Sequence, residues 1–83
     1  MEIPLIIWNS VRKYFGANLP EYKVQDILKN TKPDSYMVIA QHKNGSWSCW
    51  INWDETNQKL ECQHDDMPDY DMALLVCEYF MEG

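Results

Sequence analysis

Asn44-Gly45 lies between two runs of alternating residues, and no other pair in the chain limits its folding as tightly. A type I′ hairpin turn needs positive φ at both central positions, which Asn and Gly tolerate and most residues do not. The sequence therefore predicts a β-hairpin of residues 36–42 with 47–53, in which Lys43 pairs with Ser46. That register sets Ala40 opposite Cys49 and Val38 opposite Ile51. Beyond Asp54-Glu55-Thr56-Asn57, a third strand over 58–64 places Trp53 against Gln58, Ile51 against Leu60, Cys49 against Cys62 and Trp47 against His64.

Strand residues alternate between the two faces of a sheet. Tyr36, Val38, Ala40, His42, Trp47, Cys49, Ile51, Trp53, Leu60, Cys62 and His64 fall on one face, which reads as the core. Met37, Ile39 and Trp50 fall on the other, with Gln41, Ser48, Asn52, Lys59, Glu61 and Gln63. These three apolar residues are either a second small core covered by the second helix, at 20–30, or an open aromatic anchor for a partner.

Helical periodicity marks three further segments. Over 4–15, Pro4 suits a first helical position, Gly16 suits the position just past the end, and Leu5, Trp8, Val11 and Phe15, with Ile7 and Tyr14 beside them, share one broad face. Over 20–30, Pro20 and Glu21 open a shorter helix with Val24, Ile27 and Leu28 as its stripe, and Lys32-Pro33-Asp34-Ser35 breaks the pattern. Over 68–81, Pro68 follows a cap at Asp66 or Met67, and Asp69 and Asp71 occupy the first turn. Tyr70, Ala73, Leu74, Cys77, Phe80 and Met81 form the buried stripe of that last helix. The expected fold class is α+β: a three-stranded antiparallel meander with helices packed on one face, in the order α-α-β-β-β-α. At 83 residues, it forms a single domain spanning 1–83.

The charges are sorted along the chain. Residues 1–43 hold six Lys/Arg against four Asp/Glu, whereas 44–83 hold Lys59 alone against nine Asp/Glu. A net of −8 in the second half repels the phosphate backbone, so nucleic acid is excluded as a direct ligand and a basic protein surface is favoured. Glu61, Asp65, Asp66, Asp69 and Asp71 lie between the third strand and the last helix, with Asp54 and Glu55 on a neighbouring loop. Helix capping and solubility account for some of these carboxylates, but not for the scarcity of cations around them. The candidate partner-binding set is therefore Asp54, Glu55, Glu61, Asp65, Asp66, Asp69 and Asp71, with Trp50, Met37 and Ile39 as the anchor.

Three cysteines make an odd count without framework spacing, which reads as reduced thiols in a cytoplasm; a Cys49–Cys62 disulfide is sterically conceivable but disfavoured there. The N-terminus has no signal-peptide pattern, and no apolar run is long enough to span a bilayer. His42, Cys49, Cys62 and His64 have zinc-ligand chemistry, but H-x6-C-x12-C-x-H lacks the close pairs that build a tetrahedral site. The acids do not match a calcium loop. Cys62 and His64 are the only nucleophile and base in proximity, and no activating or phosphate-cradling segment joins them. Neither a cofactor, a metal nor a catalytic residue is expected.

In size, acidity and simple layout the chain resembles small phage-encoded inhibitors of bacterial defence, of the anti-CRISPR and anti-restriction type, and it is similar in size and charge to bacteriocin immunity proteins. The likeness covers general character and transfers no residue's role. It implies a non-enzymatic protein that occupies a basic, nucleic-acid-binding surface of a larger partner. The alternatives are a structural or regulatory subunit that homodimerises, and a small metal- or thiol-dependent enzyme. A monomer and a homodimer are both compatible with the sequence.

Overall fold

The computed structural model describes residues 3–30 and 35–82, without the side chains of Gln63, Met81 and Glu82. The elements run α1 (Leu5–Asn18), β1 (Tyr22–Lys29), β2 (Ser35–His42), β3 (Trp47–Asp54), β4 (Lys59–Met67) and α2 (Tyr70–Glu82). The four strands form one antiparallel sheet in the order β1-β2-β3-β4. The fold is α+β, with the expected meander and C-terminal helix. It differs from expectation in three ways: one element changes type, the hairpin register moves, and both faces of the sheet are covered.

The segment at 20–30 is a strand, not a second helix. Leu19-Pro20-Glu21-Tyr22 forms a turn closed by the Tyr22 N–H on the Leu19 carbonyl at 3.0 Å, so Pro20 starts a turn instead of a helix. β1 then pairs with β2, with a register shift between Val24 and Asp26. The bulge inserts one residue, and so puts Val24 and Ile27 on the same face at a spacing of three. That spacing is also the helical one, which is why the sequence pattern misleads here.

At the hairpin, the Gly45 N–H donates to the His42 carbonyl at 2.9 Å, and the His42 N–H donates to the Ser46 carbonyl at 2.8 Å. Gln41 pairs with Trp47, so Lys43, Asn44 and Gly45 form a three-residue loop. Gly45 has φ of 99°, and Asn44 is not among the positive-φ residues. The turn is therefore the bulged three-residue kind and not type I′. The Asn44 side chain accepts the Ser46 N–H at 2.8 Å, which fastens the loop from within. The extra residue moves the register by one: Ala40 faces Ser48 instead of Cys49, and Val38 faces Trp50 instead of Ile51. A one-residue slip moves every side chain to the opposite face.

A second bulge lies near Asn52, which has φ of 58°. It brings Trp50 and Trp53, three residues apart, onto the α1 face together. Against β4, Trp50 faces Cys62, Cys49 faces His64 and Trp47 faces Met67, so the expected pairings there also change.

Two cores result, one on each side of the sheet. Ile7, Val11 and Phe15 of α1, at i, i+4 and i+8, pack on Val24, Ile27, Tyr36, Val38, Ala40, Trp50 and Trp53. Ala73 and Cys77 of α2 pack on Met37, Ile39, Cys49 and Met67. Leu5, expected on the buried stripe of α1, is exposed, and Trp8 is half-buried beneath the Arg12 guanidinium at 4.8 Å. The expected burial of Met81 and the break at Lys32-Pro33-Asp34 lie outside the described residues.

A disulfide joins Cys49 of β3 to Cys77 of α2, 28 residues apart, and corrects the expectation of reduced thiols for this pair. Cys62, the disulfide partner considered for Cys49, is free and exposed.

The two glycines with distinct roles give opposite expectations. Gly16 is exposed inside α1, which runs on through it to Asn18, and an added Cβ meets nothing within 4 Å. Gly16→Ala should stabilise the protein by about 0.5–1 kcal/mol. Gly45→Ala has equal space but the wrong backbone, and should cost about 1–2 kcal/mol. Urea midpoints that shift in the same direction would contradict this assignment.

Candidate functional site

The acidic residues lie on the β3–β4 turn, along β4 and at the start of α2, and their surroundings divide them into two groups. β4 is an edge strand, entered from the Asp54–Asn57 turn and left through Asp69 into α2. Four of the seven candidate carboxylates are occupied in holding this region together. Asp54 accepts the Asn57 side-chain amide at 2.7 Å and the Thr56 N–H at 3.0 Å; these bonds, the Asn57 amide above all, hold its carboxyl below the usual range. Glu55 accepts the Trp53 indole N–H at 3.0 Å and the Ser10 hydroxyl at 2.8 Å, tying the turn to α1. Asp65 accepts the hydroxyls of buried Ser48 at 2.6 Å and Tyr22 at 3.2 Å; the Ser48 bond is the main reason its carboxyl also lies low. Asp69 accepts the Met72 N–H at 2.9 Å and is the N-cap of α2, in place of the expected Asp66 or Met67.

Glu61, Asp66 and Asp71 form the other group. All three are exposed, and none makes a side-chain hydrogen bond or ion pair with another described residue. Three cations of the first half are engaged elsewhere: Lys43 with Glu21 at 3.3 Å, Arg12 over Trp8, and Lys29 over Tyr36 at 5.0 Å. Among the described residues no ion pair reaches Glu61, Asp66 or Asp71, although Lys59 shares β4 with the first two.

The expected aromatic anchor does not exist as a surface. Trp50 is buried against Phe15 and Tyr22 on the α1 side, while Met37 and Ile39 are fully buried on the α2 side. Coverage by a second helix at 20–30 does not hold either, since that segment is β1; α1 covers Trp50, and the C-terminal helix α2 covers Met37 and Ile39. Exposed apolar surface lies instead on α2, where Met72, Leu75 and Tyr79 are 44, 62 and 74% exposed. They follow each other at i, i+3 and i+7, beside the acidic row of Asp71 and Glu78. The sequence held a signal for this: α2 carries more apolar residues than one buried face can accommodate.

His42, Cys49, Cys62 and His64 do not share one face. Cys62 pairs with Trp50 on the α1 side, Cys49 and His64 pair on the α2 side, and His42 Nε2 lies 3.1 Å from Glu21 Oε2. Burial pushes the Cys62 thiol up, and Asp65 adds to the effect, which disfavours a nucleophilic thiolate. No group of three or more His, Cys, Asp or Glu among the described residues is placed to hold a metal ion. No helix among the described residues is long and apolar enough to cross a membrane.

The seat of α2 has its own titration. The Tyr70 hydroxyl donates to Asp26 Oδ2 at 2.6 Å, and its ring meets Trp47 edge to face. This bond to a carboxylate, more than burial, pushes the phenol up to about 12. A folded value above the unfolded one of about 10 means stability that is whole below pH 10 and lost as pH rises towards 12. Tyr70→Phe should be less stable at neutral pH and should flatten that alkaline decline. An unchanged alkaline limb in urea titrations at several pH values would count against the bond.

The arrangement offers binding chemistry on an edge built from β4 and α2. Neither a curated protein nor a solved structure shows significant similarity to the chain. One family model matches residues 6–70, from the first turn of α1 across all four strands to the first residue of α2. On that match, the chain belongs to the family of large polyvalent protein associated domain 24.

Proposed function

We propose that this domain is a non-catalytic acidic binding module that occupies a basic surface of a larger protein. Family membership places it among domains associated with large polyvalent proteins and supports a phage or mobile-element setting. In that setting the module acts in the host cytoplasm against a nucleic-acid-binding defence complex, with carboxylates standing where phosphates stand on the natural ligand. The observation that carries the reading is the freedom of Glu61, Asp66 and Asp71: three exposed carboxylates, on β4 and in the first turn of α2, that no described residue pairs. Unpaired like charges are unfavourable in an isolated domain and become favourable on meeting an opposite potential.

The roles of the acids make the test specific. Glu61→Gln/Asp66→Asn/Asp71→Asn should leave folding unchanged and weaken capture of a basic partner, most at low salt. Affinity capture from host lysate at two ionic strengths, with mass spectrometry of what is retained, compares the variant with the natural chain. Retention of the same proteins by both, or of proteins without a basic surface, would reject the reading. Glu55→Gln is the contrasting control, because it should lower stability through Trp53 and Ser10.

A further inference from the structure

We infer that the outer face of α2 is a seat for a cationic amphipathic helix of the partner. This inference rests on the acidic-module reading and adds to it a second, apolar component. Met72, Leu75 and Tyr79 form an exposed ridge at helical spacing, a geometry that interdigitates with the ridges of another helix. Asp71 and Glu78 run alongside, and the stretch from Leu60 to Gly83 contains no Lys or Arg. A complementary helix therefore carries Leu- or Ile-like residues at i, i+3 and i+7, with Lys or Arg on the flank facing the acids.

The seat is held rigidly in advance. Tyr70 is bonded to Asp26, Asp69 caps the first turn, and Ala73, Leu74 and Val76 pack on the sheet, so little ordering is needed when a partner docks. An extended segment would use the free edges of β1 or β4 instead. A second α2 fits poorly, because two acidic rows would meet. The ridge lies beyond residues 6–70, so the family description does not bear on it.

The test uses a fluorescent Lys/Leu peptide patterned as an amphipathic helix, and a second peptide of the same composition shuffled to abolish the apolar face. The patterned peptide should bind at least ~10-fold more tightly, and Leu75→Ser/Tyr79→Ser should remove that advantage while leaving the circular dichroism spectrum unchanged. Both residues are largely exposed, so the variant is expected to fold. Equal binding of the two peptides, unaffected by the variant, overturns the seat and leaves the acidic module standing. Binding of neither peptide overturns both. A mass that rises with concentration in the absence of peptide, and falls on Leu5→Ser/Ile6→Ser, overturns the external helix in favour of α1 from a second copy, whose exposed Leu5, Ile6, Arg12 and Lys13 have similar chemistry.

Discussion

Trp53→Ala is expected to cost about 3–5 kcal/mol, a large share of the total stability of a domain this small. The indole is fully buried between the sheet and α1, with the Tyr14 ring edge-on at 5.2 Å. Its N–H donates to Glu55, and Glu55 in turn accepts from Ser10 of α1. Truncation thus opens a cavity and releases a carboxylate that had two partners. Urea unfolding followed by far-ultraviolet circular dichroism measures the loss. A cost below ~1 kcal/mol would mean that Trp53 does not hold α1 to the sheet. Trp50→Ala should be costly for the same reason, because Trp50 is buried in the same core and not poised on a surface. Trp50→Phe should be much milder: the Trp50 indole N–H is buried without a partner, so Phe removes an unsatisfied donor along with some volume.

Reduction of Cys49–Cys77 is expected to lower stability by about 3–4 kcal/mol, on loop-closure entropy for a 28-residue separation. The effect should concentrate on α2, which is otherwise held to its face by Ala73, by the partly buried Leu74, Val76 and Tyr70, and by the Tyr70–Asp26 bond. Thermal melts with and without reductant give the total, and hydrogen exchange shows whether α2 opens before α1. Thiol labelling checks the bond directly. Without reductant, one cysteine (Cys62) should react even in denaturant; with reductant, all three should react. Three reactive thiols in denaturant alone would show that the bond does not form. Because a cytosol keeps most thiols reduced, the same labelling on protein taken from a host cytoplasm bears directly on the proposed location.

The α+β class, the hairpin at Asn44-Gly45 and the last helix were legible in the sequence because each depends on local chemistry. Turn residues and apolar period are short-range signals, although the cap of the last helix falls at Asp69 and not at Asp66 or Met67. The errors in face assignment along the strands come from bulges. A bulge changes side-chain spacing from two to three, and the sequence does not announce where a strand will take in an extra residue. Val24 and Ile27 therefore looked like a helix stripe, and Trp50 and Trp53 looked as though they pointed to opposite faces. The hairpin slipped for a related reason: Asn44-Gly45 fits both a two-residue and a three-residue loop, and the choice inverts both faces. With the faces inverted, Trp50, Met37 and Ile39 could be assigned to a surface although all three are interior.

The acidic edge was legible as composition but not as function. Charge counting gave seven carboxylates equal standing, whereas hydrogen bonding separates Asp54, Glu55, Asp65 and Asp69 from Glu61, Asp66 and Asp71. Asp54 and Asp69 bond within three residues, but Glu55 and Asp65 also have partners distant in sequence, Ser10 and Tyr22. No local pattern encodes those distant pairings.

Helices on both faces leave the sheet open only along its two outermost strands, where unpaired backbone donors and acceptors invite other chains to add on. On β4 that invitation is countered by the side chains. An antiparallel pairing of two β4 strands from separate molecules would crowd Glu61, Asp65 and Asp66 against their equivalents, with Lys59 as the sole opposite charge in the strand. Acidic side chains on this edge strand thus guard the protein against sticking to itself in ribbons. Neutralising them for a binding assay should therefore be paired with a check for aggregation.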